Sequence, residues 1–524
     1  MQTEADICRR YVVPNLYAAG WLDTQIAEQR TFTDGRIHVS GREAHRGKPK
    51  RADYLLYYQP SYPLAVVEAK AAYRRPADGM QQAKDYAQTL GLIFAYSTNG
   101  QGIVEYDFST GVERIIPSFP SPRDLWNRYR VAKGLDEALD DKLLIPNHVS
   151  EMTPRYYQQI AINRAVEAIL KGERRVLLTL ATGAGKTVIA FQIAWRLWNG
   201  KWNARGLPQR PPRILFLADR SVLVDDPKDK TFAPFGDARH KIERVAEKSR
   251  QLYFATYQAI AKDELRPGLY RDYAPDFFDL ILVDEAHRGS ARDDSSWREI
   301  LDYFTGATQL GMTATPLRDD NRDTYAYFGE PVYTYSLRQG IQDGFLAPYS
   351  VRRVVIDIDT TGFRPFVGQR DDYGRVIPDR EYGANEYESL ISLRERTEAV
   401  AQHLTRYLRQ TDRFDKTIVF CHDQDHADQM RVALGNANAD LLREHPDYVA
   451  RVTSDDGDLG KTLLSTFQDV EEPTPVILTT SQMLTTGVDA PMVKNVVIFK
   501  RIGSMTDFKQ IIGRGTRVRQ DYGK

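Results

Sequence analysis

The sequence predicts an α/β protein of three domains, and two observations support this prediction. The chain has 524 residues, too many for a single hydrophobic core, and a typical domain size of roughly 150 residues suggests about three domains. From residue 155 onward, short apolar runs alternate with helical segments. This alternation is typical of parallel sheets that are covered by helices on both faces.

The composition indicates a globular protein without an overall attraction for nucleic acid. Hydrophobic residues make up 42% of the chain and charged residues 27%, which excludes a disordered protein. Lys plus Arg and Asp plus Glu number 71 each, so any nucleic-acid surface must be local. The two cysteines, Cys8 and Cys421, and a start without an apolar signal core argue against disulfides and export. The sequence contains no run of about 18 apolar residues, which argues against a membrane span. A cytoplasmic location is predicted.

The first predicted domain, residues 1–145, combines short strands with helices. A helix is predicted at its start, with Thr3 as the N-terminal cap. Prolines at 117, 120 and 122 interrupt the pattern, and a charged helical stretch leads to the domain boundary. Between these limits, strand patterns occur in DYLLYY, LAVVEAK and LIFAYST, and a helical pattern in GMQQAKDYAQTLG.

Three charged residues of this domain fall on predicted strands. Asp53 begins one apolar run, and Glu68 and Lys70, two apart on the next, point to the same face of the sheet. Such charges are unfavourable on one face of a small sheet unless they share a ligand. The carboxylates could hold Mg²⁺, which activates water and neutralises a phosphodiester, while the ammonium stabilises developing negative charge. The alternative is an ordinary exposed strand, because the spacing alone is common.

The second predicted domain, residues 146–338, contains the glycine-rich loop LATGAGKTV between a strand and a helix. Its glycines let backbone amides approach phosphate oxygens, Lys186 can reach the β- and γ-phosphates, and Thr187 can hold Mg²⁺. Leu180 stands where the full phosphate-loop pattern has glycine, so the alternative is a glycine-rich turn with an exposed lysine. The predicted nucleotide-binding residues of the loop are Thr182, Gly183, Ala184, Gly185, Lys186 and Thr187.

Later in this domain, LILVDEAH brings two adjacent carboxylates to the end of an apolar strand. Ligands of open α/β folds bind at such strand ends. Asp284 is predicted to bind magnesium, and Glu285 to position and polarise the attacking water.

The third predicted domain, residues 339–524, shows a second series of strand patterns. A polar, glycine-rich stretch at 358–387 is predicted to be an inserted loop or hairpin. Near the end of the domain, Arg514 and Arg517 would share one helix face if this stretch is helical, and they could stabilise transition-state charge on a γ-phosphate. The strand patterns are SVRRVVIDI, KTIVFCH, ARVTS, PVILTT and KNVVIFK.

Residues 155–519 resemble the motor of superfamily-two helicases and translocases, whose motifs occur here in the family's order. RYYQ resembles the adenine-recognising element, ATGAGKT motif I, DEAH motif II, TAT at Thr313, Ala314 and Thr315 motif III, IVFCH motif IV, TTGVDAP motif V and QIIGRGTR motif VI. The resemblance implies two RecA-like parallel-sheet domains and ATP as cofactor. It also implies four further nucleotide-binding residues, which are Gln158, Gly487, Asp489 and Gln510.

The phrases RADYLLYY, VVEAKA and QQAKDYA resemble the PD-(D/E)xK nuclease family, with Ala52 in place of the family's proline. The resemblance implies an N-terminal endonuclease domain. The site residues it implies are Asp53, Glu68 and Lys70 for catalysis, Asp53 and Glu68 for metal binding, Glu4 as an assisting group, and Gln82 and Tyr86 for DNA contact or support of the metal site.

A nuclease of this kind in front of such a motor resembles the motor subunit of type I restriction enzymes, as do FGEPVYTYSLRQGIQDGFLAPY and MLTTGVDAP. This implies an ATP- and Mg²⁺-dependent endonuclease that translocates double-stranded DNA. It also implies methyltransferase and specificity subunits as partners, with S-adenosylmethionine bound by those partners. Family members normally continue past motif VI into a helical docking region, so a chain that stops at Lys524 is expected to be a truncated or short variant.

The sequence leaves two other functions open. One is a stand-alone helicase-nuclease of repair or defence without a methyltransferase partner, and the other is a pure motor in which residues 1–145 only clamp DNA. Cys421, His422 and His426 lie close together, but motif IV explains them better than zinc does. The basic run at 42–51 is expected either to follow phosphates or to form a solvated loop.

Overall fold

The structure is a computed structural model. It describes residues 7–40, 43–149, 153–261, 268–286, 294–314, 322–356, 362–370, 374–382, 394–481 and 490–519, without the side chains of 222, 294–296 and 322–323. The chain divides into two compact units, Met1–Gly344 and Phe345–Lys524. The predicted α/β class with parallel sheets is confirmed. The predicted domain boundaries after residues 145 and 338 stay predictions.

In the N-terminal part of the first unit, the described residues form eight strands. These are β1 (Ile26–Thr31), β2 (Ile37–Ser40), β3 (Glu43–Arg46), β4 (Arg51–Gln59), β5 (Tyr62–Ala69), β6 (Phe94–Thr98), β7 (Ile103–Asp107) and β8 (Val112–Ile116). Its α-helices are Val13–Ala18, Met80–Leu90, Pro122–Lys133 and Asp140–Leu143.

Six of these strands form one mixed sheet in the order β1-β4-β5-β6-β7-β8, while β2 and β3 form a separate hairpin. Only β5 and β6 pair in parallel, and the helix Met80–Leu90 makes the crossover that a parallel pair requires. Met80, Ala83 and Ala87, at helical spacing, are buried in one cluster with Leu55 and Val66 of the sheet. This packing fixes the helix against the strands that carry the predicted nuclease residues.

The rest of the first unit is built on a seven-stranded sheet. Its strands are β9 (Arg175–Leu180), β10 (Ile214–Ala218), β11 (Arg239–Lys241), β12 (Leu252–Thr256), β13 (Leu280–Val283), β14 (Thr308–Thr313) and β15 (Tyr333–Tyr335). Its α-helices are Tyr156–Leu170, Lys186–Asn199, Val222–Asp226, Tyr257–Ile260, Asp294–Tyr303, Arg322–Phe328 and Leu337–Asp343.

The strands of this sheet run in the order β11-β12-β10-β13-β14-β9-β15, and every pair is parallel. The strands predicted from RRVLLTLATG, RILFLADR, LYFATYQ, FDLILVDEAH and QLGMTAT are therefore confirmed. Because all of them are parallel, the carboxyl ends of β9 and β13 lie at the same edge of the sheet.

Polar contacts join the two halves of the first unit. The Tyr129 hydroxyl donates to a carboxylate oxygen of Glu167 at 2.5 Å, and the Asn163 amide donates to the Ser61 carbonyl at 2.9 Å. The guanidinium of Arg196 donates to the Leu143 carbonyl. Because these groups are mostly buried, the two sheets belong to one folded body.

The second unit has a parallel sheet of four strands, whose spatial order is β17-β18-β16-β19. These strands are β16 (Thr417–Cys421), β17 (Val449–Arg451), β18 (Ile477–Thr480) and β19 (Asn495–Phe499). Its α-helices are Arg394–Gln410, Gln424–Ala437, Ala439–Glu444, Gly457–Gln468 and Met505–Ile512.

One predicted strand of the second unit is wrong over the residues that can be compared. Residues 350–356 of SVRRVVIDI form no strand, and Val351 is 70% exposed. The apolar pattern is present, but a strand also depends on ladder pairing with a neighbouring strand, which the local pattern does not encode. In the inserted stretch, bridges between Phe363 and Tyr382 and between Arg370 and Val376 are antiparallel, as in a hairpin.

Short 3₁₀ or π turns complete the two units, at Cys8–Val12, Asp23–Gln25, Pro76–Gly79, Glu137–Leu139, Pro227–Thr231, Ala233–Ala238, Leu269–Asp272 and Ser454–Asp456. Across the part of the chain that the structure covers, no helix combines the length and the apolarity that a membrane crossing needs.

Candidate functional site

Asp53 and Glu68 face each other on the neighbouring strands β4 and β5. The Asp53 backbone amide donates to Glu68 Oε1 at 3.3 Å, and the Ala69 amide donates to Asp53 Oδ2 at 2.8 Å. The antiparallel register, with Tyr54 opposite Val67, produces this arrangement. Glu68 is only 1% exposed, so one of the two carboxylates of the site is buried.

Lys70 follows β5 and points back to the same site. Its Nζ lies 3.8 Å from Glu68 Oε2 and donates to Gln82 Oε1 at 3.2 Å. Gln82 in turn donates to the Tyr86 hydroxyl at 3.2 Å, because the two residues are one turn apart on the helix Met80–Leu90. A Cβ at Gly79 would lie 3.0 Å from Lys70 Cε, so this glycine leaves the space through which the lysine passes.

The donor set around Asp53 and Glu68 fits magnesium. Both groups are carboxylates, and Mg²⁺ typically takes one or two protein carboxylates and keeps several waters. No cluster of three or more His, Cys, Asp or Glu side chains suited to a metal occurs within the described ranges. The predicted helper Glu4 lies outside the described residues.

The glycine-rich loop joins β9 to the helix Lys186–Asn199, as predicted. Gly183 and Gly185 have φ values of 87° and 81°, which glycine adopts readily. The carbonyl of Ala184 accepts hydrogen bonds from the Gln158 amide at 2.9 Å and from the Tyr157 hydroxyl at 3.1 Å. The helix Tyr156–Leu170 therefore holds the loop in its shape, and Gln158 lies at the loop as a residue of the nucleotide site should.

The predicted catalytic carboxylate Glu285 meets the loop lysine at this edge of the sheet. Lys186 Nζ lies 2.5 Å from Glu285 Oε1, and both side chains are about nine-tenths buried, at 10% and 9% exposed. Glu285 has a φ of 50°, a left-handed conformation that is unfavourable for glutamate. Burial raises the pKa of Asp284 to about 6, against the opposing effect of Lys186. A buried carboxylate of this kind is suited to pairing with a divalent cation, and Thr187 lies in the first turn of the adjoining helix.

The second unit carries the remaining predicted nucleotide-site residues. Gln510 is buried in the helix Met505–Ile512, Arg514 is buried and Arg517 is half-buried. The condition under which both arginines would share a helix face is not met, because the helix ends at Ile512, before either of them. Gly487 and Asp489 lie outside the described residues, as do Thr315 and His287.

The cysteine that ends β16 and the two histidines after it have structural partners. Cys421 is a fully buried strand residue, and the His422 amide donates to His426 Nδ1 at 3.2 Å. Asp423 accepts from the His426 amide and caps the helix Gln424–Ala437. These contacts agree with the preference for a motor motif over a zinc site.

Sequence reasoning missed two residues of these sites. Tyr157 donates a hydrogen bond to the Ala184 carbonyl. In the sequence, only its position beside Gln158 indicates that it belongs to the nucleotide site. Gln29 on β1 donates from Nε2 to Asp53 Oδ1 at 3.0 Å, and its φ is 47°. A glutamine on an edge strand gives no sequence signal of such a contact.

Two family models match the chain. The model described as the res subunit of type III restriction enzymes matches residues 151–318, and the model of the helicase conserved C-terminal domain matches residues 397–519. Both matches fall on the parts of the chain that carry the motor motifs.

The chain is similar to endonuclease subunits of type I restriction enzymes. It is 47% identical to that of EcoAI from Escherichia coli, with 100% of this chain and 65% of the relative covered. It is 30% identical to that of EcoKI from Escherichia coli K12, with 83% and 40% covered. The chain thus spans about two thirds or less of the length of these relatives.

A solved structure matches nearly the whole chain. It is a fragment assigned as an HsdR subunit of a type I restriction enzyme from Vibrio vulnificus YJ016, with 56% identity, a TM-score of 0.85, and 99% of this chain and 91% of that chain covered. Together with the nuclease and nucleotide geometry, these similarities identify the chain as a member of the HsdR family, the endonuclease subunits of type I restriction enzymes.

Proposed function

We propose that the chain is the ATP-dependent motor and Mg²⁺-dependent endonuclease of a type I restriction system, acting on double-stranded DNA. One observation supports this most: the group Asp53, Glu68 and Lys70 and the pair Lys186 and Glu285 belong to the same compact unit. A cutting site built into the body of a motor suits cleavage that depends on translocation.

For DNA cleavage, Asp53 and Glu68 would hold Mg²⁺ through their facing carboxylates. The ion, when bound, lowers the pKa of water and offsets the charge of a phosphodiester. Lys70 is held between Glu68 and Gln82, so its ammonium is oriented to stabilise the negative charge that develops on the phosphate. Gln82 and Tyr86 would keep the lysine in place and lie where DNA approaches.

For ATP hydrolysis, the loop amides at Gly183 and Gly185 and the Lys186 ammonium would bind the phosphates. As Lys186 moves to the phosphates, its ion pair with Glu285 would break, which frees that carboxylate to orient the attacking water. Thr187 and Asp284 would hold the magnesium of the nucleotide, and Gln158 would contact the adenine. Gly487, Asp489, Gln510, Arg514 and Arg517 are assigned to ATP by their motifs alone.

The proposed partners are methyltransferase and specificity subunits, which would supply sequence recognition and bind S-adenosylmethionine. The proposed location is the cytoplasm, where such a complex meets DNA. The family assignment does not favour a stand-alone helicase-nuclease.

Two substitutions in the complex with partner subunits test this proposal on circular DNA. Lys70→Ala should lower cleavage by at least about 100-fold and leave ATP hydrolysis intact, because it removes only the charge at the cutting site. Lys186→Ala should abolish ATP hydrolysis and, with it, cleavage.

Lys84→Ala is the matched control, since Lys84 lies in the helix that carries Gln82 but pairs with Glu113 instead. Unchanged cutting by Lys70→Ala would remove the nuclease assignment. Cutting without ATP by the wild-type complex would contradict its coupling to the motor.

A further inference from the structure

Gln29 lies directly opposite the predicted metal ligand Asp53. In the antiparallel pair of β1 and β4, Glu28 faces Tyr54 and Arg30 faces Ala52, which leaves Gln29 across from Asp53. Its carboxamide Nε2 donates to Asp53 Oδ1 at 3.0 Å, while the Ala69 amide donates to Oδ2. Both oxygens of Asp53 are therefore oriented by a donor.

The backbone of Gln29 is strained, with a φ of 47°. Left-handed backbone is rare for residues other than glycine, asparagine and aspartate, and it persists where the surroundings impose it, often at functional sites. Four non-glycine residues in the described ranges have positive φ: Gln29, Lys201, Gln209 and Glu285. Of these, Glu285 belongs to the nucleotide site and Gln29 contacts the nuclease site.

We propose that Gln29 is a positioning residue of the nuclease site, which holds the Asp53 carboxylate in the orientation that binds a divalent cation. This inference rests on the proposed nuclease function. The left-handed backbone at Gln29 aims its amide at Asp53 Oδ1, and the remaining lone pairs of both carboxylate oxygens stay available to the ion. The Asp53 side chain then loses its conformational freedom during folding, so this loss does not oppose binding of the ion.

Loss of a residue that orients a metal ligand typically weakens metal binding by 10- to 100-fold. Because the Gln29 side chain is exposed, the lower end of this range applies, and Gln29→Gly should weaken cation binding by about 10-fold. Glycine accepts the left-handed φ, so this change removes the amide without adding strain. Cleavage at saturating Mg²⁺ should stay within about 2-fold, since Gln29 does not contact the reacting atoms.

The direct test is a titration of Mn²⁺ into the nucleotide-free full chain, followed by electron paramagnetic resonance. Every protein carries Asp284→Asn, so that the nucleotide site adds no binding. The matched control is Gln209→Gly, which relieves the same strain at a φ of 61°, where the glutamine contacts Lys201 and no carboxylate. Asp53→Ala reports whether the site binds the ion at all.

The inference is supported if Gln29→Gly binds Mn²⁺ more weakly, Gln209→Gly binds it as the wild type does, and Asp53→Ala does not bind it at this site. Wild-type binding in Gln29→Gly, while Asp53→Ala loses it, would overturn the role of Gln29 and leave the nuclease site standing. Wild-type binding in Asp53→Ala would overturn both. A parallel measurement of the Mg²⁺ dependence of cleavage should show the same shift in half-saturating concentration with kcat preserved.

Discussion

The Tyr129 hydroxyl donates a 2.5 Å hydrogen bond to Glu167, and this buried pair joins the half of the first unit that holds the nuclease residues to the half that holds the nucleotide loop. Burial raises the pKa of Glu167, although the bond from Tyr129 and the nearby Lys133 act in the opposite direction. The interface thus contains a carboxyl group whose protonation affects its stability.

The first unit should become less stable as the pH rises through the raised pKa of Glu167. A folded-state pKa above the unfolded value means that the folded form binds the proton more tightly, so this contribution is complete at low pH and is lost at higher pH. Glu167→Gln keeps an acceptor for Tyr129 and should flatten this dependence. Urea denaturation between pH 4 and 8 measures it. An equal pH slope in wild type and variant would contradict the prediction.

The second unit should lose stability in acid because of His426. Burial lowers the pKa of this imidazole to about 4, so the unfolded chain takes up a proton that the folded unit excludes. The contribution is present above the usual value near 6.5 and is lost as the pH falls towards 4, by up to about 3 kcal/mol. His426→Gln should remove most of this slope in acid denaturation, and His403→Gln, at an exposed position of the same unit, should not.

Gly185→Ala should weaken ATP binding by at least about 10-fold. The φ of 81° imposes strain of roughly 1–2 kcal/mol on alanine, and the new Cβ would lie 2.5 Å from the Gln158 amide nitrogen. Titration with a fluorescent nucleotide measures the affinity. Gly206→Ala has a similar φ, 66°, and open space around it, so it should leave nucleotide binding unchanged.

Much of the candidate site could be predicted because its signals are local. The prediction that Glu68 and Lys70 serve one site follows from the alternation of side chains along a strand, and the nucleotide loop follows from glycines ahead of Lys186. The parallel sheets follow from buried apolar runs between helical segments.

Other features depend on contacts that local pattern does not encode. The helix Met505–Ile512 ends before Arg514 and Arg517, and Gly513 begins a turn. Residues 350–356 have the pattern of a strand, but pairing decides whether a strand forms. The left-handed backbone at Gln29 and at Glu285 is imposed by the surrounding structure and contradicts the preference of both residue types.

The bonds from Asn163 to Ser61 and from Arg196 to Leu143 have a practical consequence for dissecting this protein. A fragment that started after residue 145 would lack both carbonyl acceptors and expose side chains that are otherwise covered. To obtain the motor alone, Arg196 and Asn163 should therefore be replaced when the chain is truncated. Without these replacements we expect the fragment to aggregate.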